Sequence, residues 1–232
     1  MSLILIQIVA LQLRLANAPD AVWGYLAAAG GFDVEPQMGS LSTHLRSGIG
    51  GLDGRAISAG DEVPLCAGEA PGGSEYRLDQ PCRPPRPFRV VLGPQDDHFT
   101  AEAIRTLLGS GYRVTHQGDR QGYRLAGPPL EHAKGYNIVS DAPVPGCIQV
   151  PGAGQPIVLL MDCQTIGGYP KIATVITADL GRFSQCRPGT SVAFEAVAPE
   201  CAQRARLEHM AWIDAVPGLA VRGAPRAFWL LQ

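Results

Sequence analysis

The chain has 232 residues, enough for one large or two small domains with cores of their own, and a formal net charge of -2. That balance removes the electrostatic basis for binding nucleic acid or an anionic membrane, both of which select clustered basic surfaces. Charged residues make up only 17% of the chain, whereas Gly 28 and Pro 20 are abundant. Frequent turns between short apolar segments are therefore expected, and with them a mainly β fold with a few helices.

The opening MSLILIQIVALQLRLANA imitates a secretory signal, but no Lys or Arg precedes its apolar stretch, and Gln7, Gln12 and Arg14 interrupt it. Alternation at positions 9 to 15 predicts a buried strand instead, and the segment is too short and polar to span a bilayer. WGYLAAAGGFDV reads as a second strand, GSLSTHLRSGIGG as a short helix closed by glycines, and RAISAGDEVPL as strand, turn and strand. The Pro- and Gly-rich stretch around residues 69–87 is expected to link an N-terminal half, 1–68, to a second domain, 88–232.

FRVVLGP predicts the first strand of that domain. DDHFTAEAIRTLLGSG predicts a helix with an acidic cap and His98 in its first turn. GYRVTHQGDRQGYRLAGPPL reads as a hairpin, CIQVPGAGQPIVLLMDCQT as two strands joined by the P-G-A-G turn, and TSVAFEAV as a last strand. A polar helix around AQRARLEHMAWIDAV closes the chain. After the Gly167-Gly168 turn and Tyr169, Pro170 is placed as the first residue of a helix KIATVITADL.

The most informative stretch is GQPIVLLMDCQTIGGYPK, which sets Gln155, Asp162 and Gln164 beside an apolar run, where a polar side chain must find a partner or lose free energy on folding. Lys171, read in the first turn of the expected helix, is a cation at the positive end of the dipole; either an anionic ligand docks there or the side chain extends into water. Together with Asp119, Arg120, Arg124, Ser140 and Gln149 these groups form a candidate constellation. Arg and Lys can hold a carboxylate, and Gln amides can donate to and accept from a lactam or ureido group. The alternative is that Arg120 and Asp119 pair within their turn and the glutamines bond to backbone.

Named chemistry is otherwise absent: there is no nucleotide-binding glycine loop, no nucleophile elbow and no zinc-protease helix. Ser40, Ser42 and Thr43 beside His44 are too close in sequence to suggest a nucleophile and its base. The six cysteines form no C-x-x-C pair and no zinc spacing, so no metal is expected, and free thiols in a cytoplasmic setting are. The only lysines are Lys134 and Lys171, neither in an M-K-M setting, so no covalent biotin is expected.

The segments GPQDDHFT, DRQGYRLAGPPLEHAKGYNIVSD, GCIQVP, GQPIVLLMDCQTIGGYPKIATVITADL and RPGTSVAF resemble the KipA family. That family is also known as the C component of 5-oxoprolinase, the biotin-dependent carboxyltransferase family or allophanate hydrolase subunit 2. YLAAAGGFDVEPQMGSLSTHLRSGIGGLDGRAISAGDEVPL resembles the same family's middle region, so the likeness runs from Tyr25 to Val197. The resemblance implies two cyclophilin-like β-barrel domains, the first incomplete here because a glycine-rich N-terminal stretch usual in the family is missing. It also implies a subunit of an ATP-dependent complex that opens 5-oxoproline to glutamate, or a carboxyltransferase or amide-hydrolysing relative, inactive alone.

A KipI-like subunit and a LamB/YcsF-like subunit are the implied partners, with ATP handled by the complex. The site expected in these terms is Asp162 and Lys171 as catalytic groups, with Arg120, Gln149, Gln155, Gln164, Gly167, Gly168 and Tyr169 around a small lactam or urea-like substrate. The competing expectation is a regulatory protein that sequesters a KipI-like kinase inhibitor without chemistry of its own.

Overall fold

A computed structural model describes residues 21–28, 30–66 and 87–219, together with the backbone of three short strands, β1 (Leu3–Leu5), β3 (Tyr76–Arg77) and β12 (Val221–Arg222). The expected strand beyond Leu5, the linker apart from β3, and Cys82 lie outside the described residues. The chain divides into two compact units. One comprises residues 1–18, 24–77 and 222–232, the other residues 19–23 and 78–221.

In the first unit β1 pairs in parallel with β2 (Tyr25–Ala27), Leu3 opposite Tyr25. Residues 30–66 are turns tied by isolated bridges, Phe32 to Leu65, Gln37 to Ser40 and His44 to Ile49. The helix expected over GSLSTHLRSGIGG is not formed. Gly48 (φ 63°), Gly50 (φ 73°) and Gly51 (φ 57°) adopt left-handed backbone that no right-handed helix contains, and the His44 amide donates to Ile49 O (2.8 Å) across the resulting turn. RAISAGDEVPL likewise holds only the bridge at Leu65 rather than two strands.

The second unit is built on one eight-stranded sheet, in the order β10 (Ser191–Val192), β5 (Tyr112–Asp119), β6 (Gly122–Ala126), β8 (Ile157–Leu159), β7 (Cys147–Gln149), β9 (Lys171–Val175), β4 (Phe88–Leu92), β11 (Phe194–Ala196). Its two outermost strands, β10 and β11, are consecutive in the chain and separated only by Ala193, whose carbonyl accepts from the Phe88 amide (2.8 Å). One short ribbon therefore lines both rims, and the sheet curls into a nearly closed barrel. The hairpins read from the sequence, β5–β6 and β7–β8, are both present as antiparallel pairs.

Alternating apolar residues fill the barrel. Val90, Leu107, Val114, Ile148, Val158 and Phe183 are almost wholly buried. Helix α1 (Ala101–Gly109) supplies Leu107. It is capped not by the acidic residues expected but by Thr100, whose Oγ1 accepts from the Ala103 amide (3.0 Å). Asp96–His98 form a separate 3-10 turn before it. Helix α3 (Pro199–Leu219) is the polar closing helix.

The largest departure concerns KIATVITADL, which is not a helix from Pro170. Residues 171–175 are strand β9, and helix α2 (Thr177–Ser184) begins only after Ile176. Ile172, Thr174 and Val175 are β-branched and fit a pleated surface, and β7 and β4 bond to β9 on its two sides, so sheet hydrogen bonds outcompete the local helix signal. Lys171 is thus at the start of a central strand rather than at a helix tip.

Helix α2 is fastened to β4 by Asp179, 7% exposed, which accepts from the Arg89 amide (3.0 Å), Arg89 Nε (3.0 Å) and Arg89 Nη2 (2.7 Å). Burial pushes the Asp179 carboxyl up, but the Arg89 donors outweigh it and hold the group below its ordinary range. A carboxyl depressed in the native state contributes stability that is complete above the unfolded value of about 3.9 and is lost as pH falls through the folded value. Urea midpoints measured from about pH 7 down to about pH 2.5 are expected to fall below about pH 4, and to fall less steeply in Asp179→Asn. Identical acid slopes would show that the group is not linked to folding.

Candidate functional site

Gln149 ends β7 and Lys171 begins β9, and the two are paired across the strands at an irregularity, the register shifting between Ile148 and Gln149. Both are polar and both are buried, with 2% and 1% exposure. Burial of an ammonium requires a counter-charge. Asp141, in the loop between β6 and β7, supplies it: Lys171 Nζ donates to Asp141 Oδ2 at 3.0 Å. The Lys171 ammonium, helped by the Ala142 amide, holds the Asp141 carboxyl below the usual carboxylate range.

Gln95, from the turn after β4, locks this pair. Its Oε1 accepts from the Lys171 amide (3.2 Å), its own main-chain amide donates to Lys171 O (3.1 Å), and its Nε2 reaches Asp141 Oδ2 (3.3 Å). Asp141 is also joined through its main chain to Gly167 by two reciprocal hydrogen bonds of 2.9 and 3.0 Å. The Ile138 amide donates to Gly168 O (2.9 Å). The Gly167-Gly168 turn therefore rests over the Gln149–Lys171 pair, and Gln164 Nε2 donates to Gln149 Oε1 from the same segment (3.1 Å).

The remaining predicted residues divide. Arg120 and Asp162 face one another, with Nε at 2.9 Å from Oδ2 and Nη2 donating to Oδ1 at 3.1 Å, and Asp162 is engaged by this guanidinium rather than by Lys171. The Asp119 carboxylate accepts from the Gln121 amide (2.8 Å) within the β5–β6 turn. Gln155 is a backbone clamp, accepting from the Gly127 amide (3.2 Å) and donating to its carbonyl (3.1 Å), and takes no part in the cluster. Tyr169 is exposed, as are Met161 and Ile166.

An open groove of about 400 Å³ lined by Gly111, Tyr112, Arg113, Ala126, Gly127 and Ser191 carries none of these groups, and Arg113 is the one charged side chain in that lining. Sequence reading missed Gln95 and Asp141. Both sit in turns whose local sequence signals only a bend, and their roles come from strand register, which brings positions 95, 141 and 171 together.

Among the described residues no group of acidic, His or Cys side chains could hold a metal ion, and no helix is long and apolar enough to cross a membrane. Cys66, Cys147, Cys163, Cys186 and Cys201 are free thiols.

A nearly closed, mainly β barrel with three helices among the described residues, whose loops roof a buried amide and ammonium, defines the class. The chain belongs to the carboxyltransferase domain family, subdomain A and B, which it matches over residues 10–196. It is 37% identical over 207 residues to the C component of 5-oxoprolinase from Escherichia coli, covering 87% of this chain and 66% of that one. The Haemophilus influenzae protein of the same name is 36% identical over 208 residues, with 88% and 65% covered. The chain thus spans just under two thirds of the length of these curated relatives.

Among solved structures, TTHA0988 is 36% identical with a TM-score of 0.60, covering 72% of this chain and 32% of that one. The urea amidolyase of K. lactis superposes with a TM-score of 0.70 at 24% identity, over 84% of this chain and 13% of that one, which establishes the shared fold.

Proposed function

We propose that this chain is a subunit of an ATP-dependent 5-oxoprolinase that opens 5-oxo-L-proline to L-glutamate together with a KipI-like and a LamB/YcsF-like subunit in the cytoplasm. The observation that carries this reading is the identity of 36 to 37% to two proteins named as the C component of 5-oxoprolinase, across nearly nine-tenths of the chain. The site geometry supports it: the Gln149 amide, bonded to that of Gln164, leaves its Nε2 buried and unpartnered among the described residues, a donor such as a planar lactam carbonyl requires. Asp162 and Arg120 lie outside this core, as a half-exposed charged pair.

The Lys171 ammonium is matched one to one by Asp141, so the cluster has no surplus positive charge for a phosphate chain. Handling of ATP is accordingly assigned to the rest of the complex. Lys171, buried and ion-paired, is also unsuited to carry a covalent prosthetic group.

A regulatory protein that sequesters a KipI-like inhibitor is the second reading, favoured by exposed Val139, Met161 and Ile166 on the loops beside the cluster. Co-expression of the three subunits separates the two. ATP-dependent glutamate release from 5-oxoproline that requires this chain is expected. A tight complex that releases none would overturn the enzymatic reading in favour of the regulatory one.

A further inference from the structure

We propose that Gln149 reads a substrate carbonyl, its side-chain N-H groups taking the oxygen of a neutral planar amide or urea-type group, and that position 167 must be glycine for this to happen. This deepens the lactam reading above and rests on it.

Three observations converge. Gln149 is 2% exposed, and its Nε2 is buried without a hydrogen-bond partner among the described residues. An orphaned buried donor is rare in folded proteins and is costly unless something fills it. Its Oε1 is already taken by Gln164 Nε2 at 3.1 Å, which fixes the amide so that the donor end points away from Gln164 and is left for an acceptor. Finally, the neighbour of that donor is Gly167: a Cβ there would stand 2.7 Å from Gln149 Nε2 and 3.5 Å from Gln164 Nε2. Gly167 thus packs directly over the Gln149 donor, and any side chain at this position would press on it and on the place an acceptor oxygen must take.

Charge selects the class of that acceptor. Lys171, cross-strand from Gln149, is already neutralised by Asp141, so the pair presents no net charge to the guest atom. A carboxylate would have to displace Asp141, whereas an amide or urea carbonyl needs only the vacant donors. The cover is anchored to the same pair, since Asp141 and Gly167 exchange two main-chain hydrogen bonds. Entry of the carbonyl displaces the Gly167-Gly168 turn from the donor, and the two main-chain hydrogen bonds couple that displacement to Asp141.

The test uses the full chain alone, with no turnover, and pyrrolidin-2-one as a neutral lactam probe followed by NMR. The side-chain amide signal of Gln149 is expected to shift on titration, and the probe to bind about tenfold or more weakly to Gln149→Glu. That variant keeps the shape, exchanges donors for acceptors and keeps Gln164 Nε2 as a donor to its carboxylate, and a thermal melt of the variant checks that it folds. Gly167→Ala is expected to weaken the probe similarly.

An unmoved Gln149 signal at saturating probe, or equal affinity in Gln149→Glu, would overturn the inference whatever the variants' stability. Glutamate release by the reconstituted complex with no dependence on Gln149 would sink this proposal while leaving the 5-oxoprolinase reading intact. A Gln149-dependent response to the probe without glutamate release would do the reverse.

Discussion

Changing Asp141 to asparagine is expected to lower the melting temperature by on the order of 10 °C, whereas changing Lys171 to methionine is expected to lower it far less. The two substitutions break one ion pair from opposite ends, and the difference lies in what each leaves behind. Lys171 is 1% exposed, so without Asp141 an ammonium remains in the protein interior with no counter-charge, and an asparagine oxygen offers only a dipole in return. The side chain of Asp141 is 49% exposed; without Lys171 it turns to water and keeps the Ala142 amide (2.7 Å) and Gln95 Nε2 (3.3 Å). Methionine, moreover, fills the length of the lysine stem with apolar atoms. Thermal melts of the two variants side by side decide the matter. Equal losses would mean that Lys171 reaches water or another anion in solution.

Phe183→Ala is expected to cost about 3–5 kcal/mol, the range for emptying an aromatic site in a close-packed core. Phe183 is wholly buried on α2, edge-on to Phe88 with ring centroids 5.1 Å apart and 5.9 Å from the Tyr123 ring. It is the point at which α2 is pressed against the sheet, while the Tyr123 hydroxyl donates to Ser184 O (2.7 Å) next to it. Removing the ring takes away both the transferred area and the edge-to-face contact, and the surrounding strands cannot collapse inward without breaking ladder bonds. Urea denaturation at neutral pH measures the loss directly. A cost under about 1 kcal/mol would show that α2 is not part of the cooperative unit.

Much of the second unit was legible in the sequence because its signals are local. The turn residues of Q-G-D-R-Q-G and P-G-A-G, flanked by apolar runs, specify β5–β6 and β7–β8, and the periodic apolar residues of residues 99–108 specify α1. KIATV misled because a proline before an apolar run satisfies a helix-start rule, while the reason it is a strand is the presence of β4 and β7 on either side, neither of them adjacent to it in the chain. Likewise GSLSTHLRSGIGG has the length and closing glycines of a helix, but several of those glycines carry positive φ within the segment rather than after it.

The candidate site was half visible for the same reason. Gln149, Gln164, Gly167 and Lys171 stood out as polar or glycine positions in apolar surroundings, and the structure brings all four together. Gln155 had an identical signature, and only the fold shows that its amide is consumed by Gly127. Asp141 and Gln95 had no signature, since a lone acid or amide in a turn is ordinary surface chemistry, and pairing across 30 and 76 residues is a property of register.

The ribbon of residues 191–196 that lines both rims of the sheet carries a consequence for synthesis. Phe88 faces Phe194 and Tyr112 faces Val192, so one edge of each of the first two strands of the barrel to leave the ribosome waits until the end to be matched. Until that ribbon emerges, both margins present unsatisfied amides and carbonyls to whatever is nearby, including other nascent copies. The seam is thus the step at which this protein either seals itself or sticks to its neighbours, and a chaperone that shields β4 and β5 during translation would act at the point of greatest exposure.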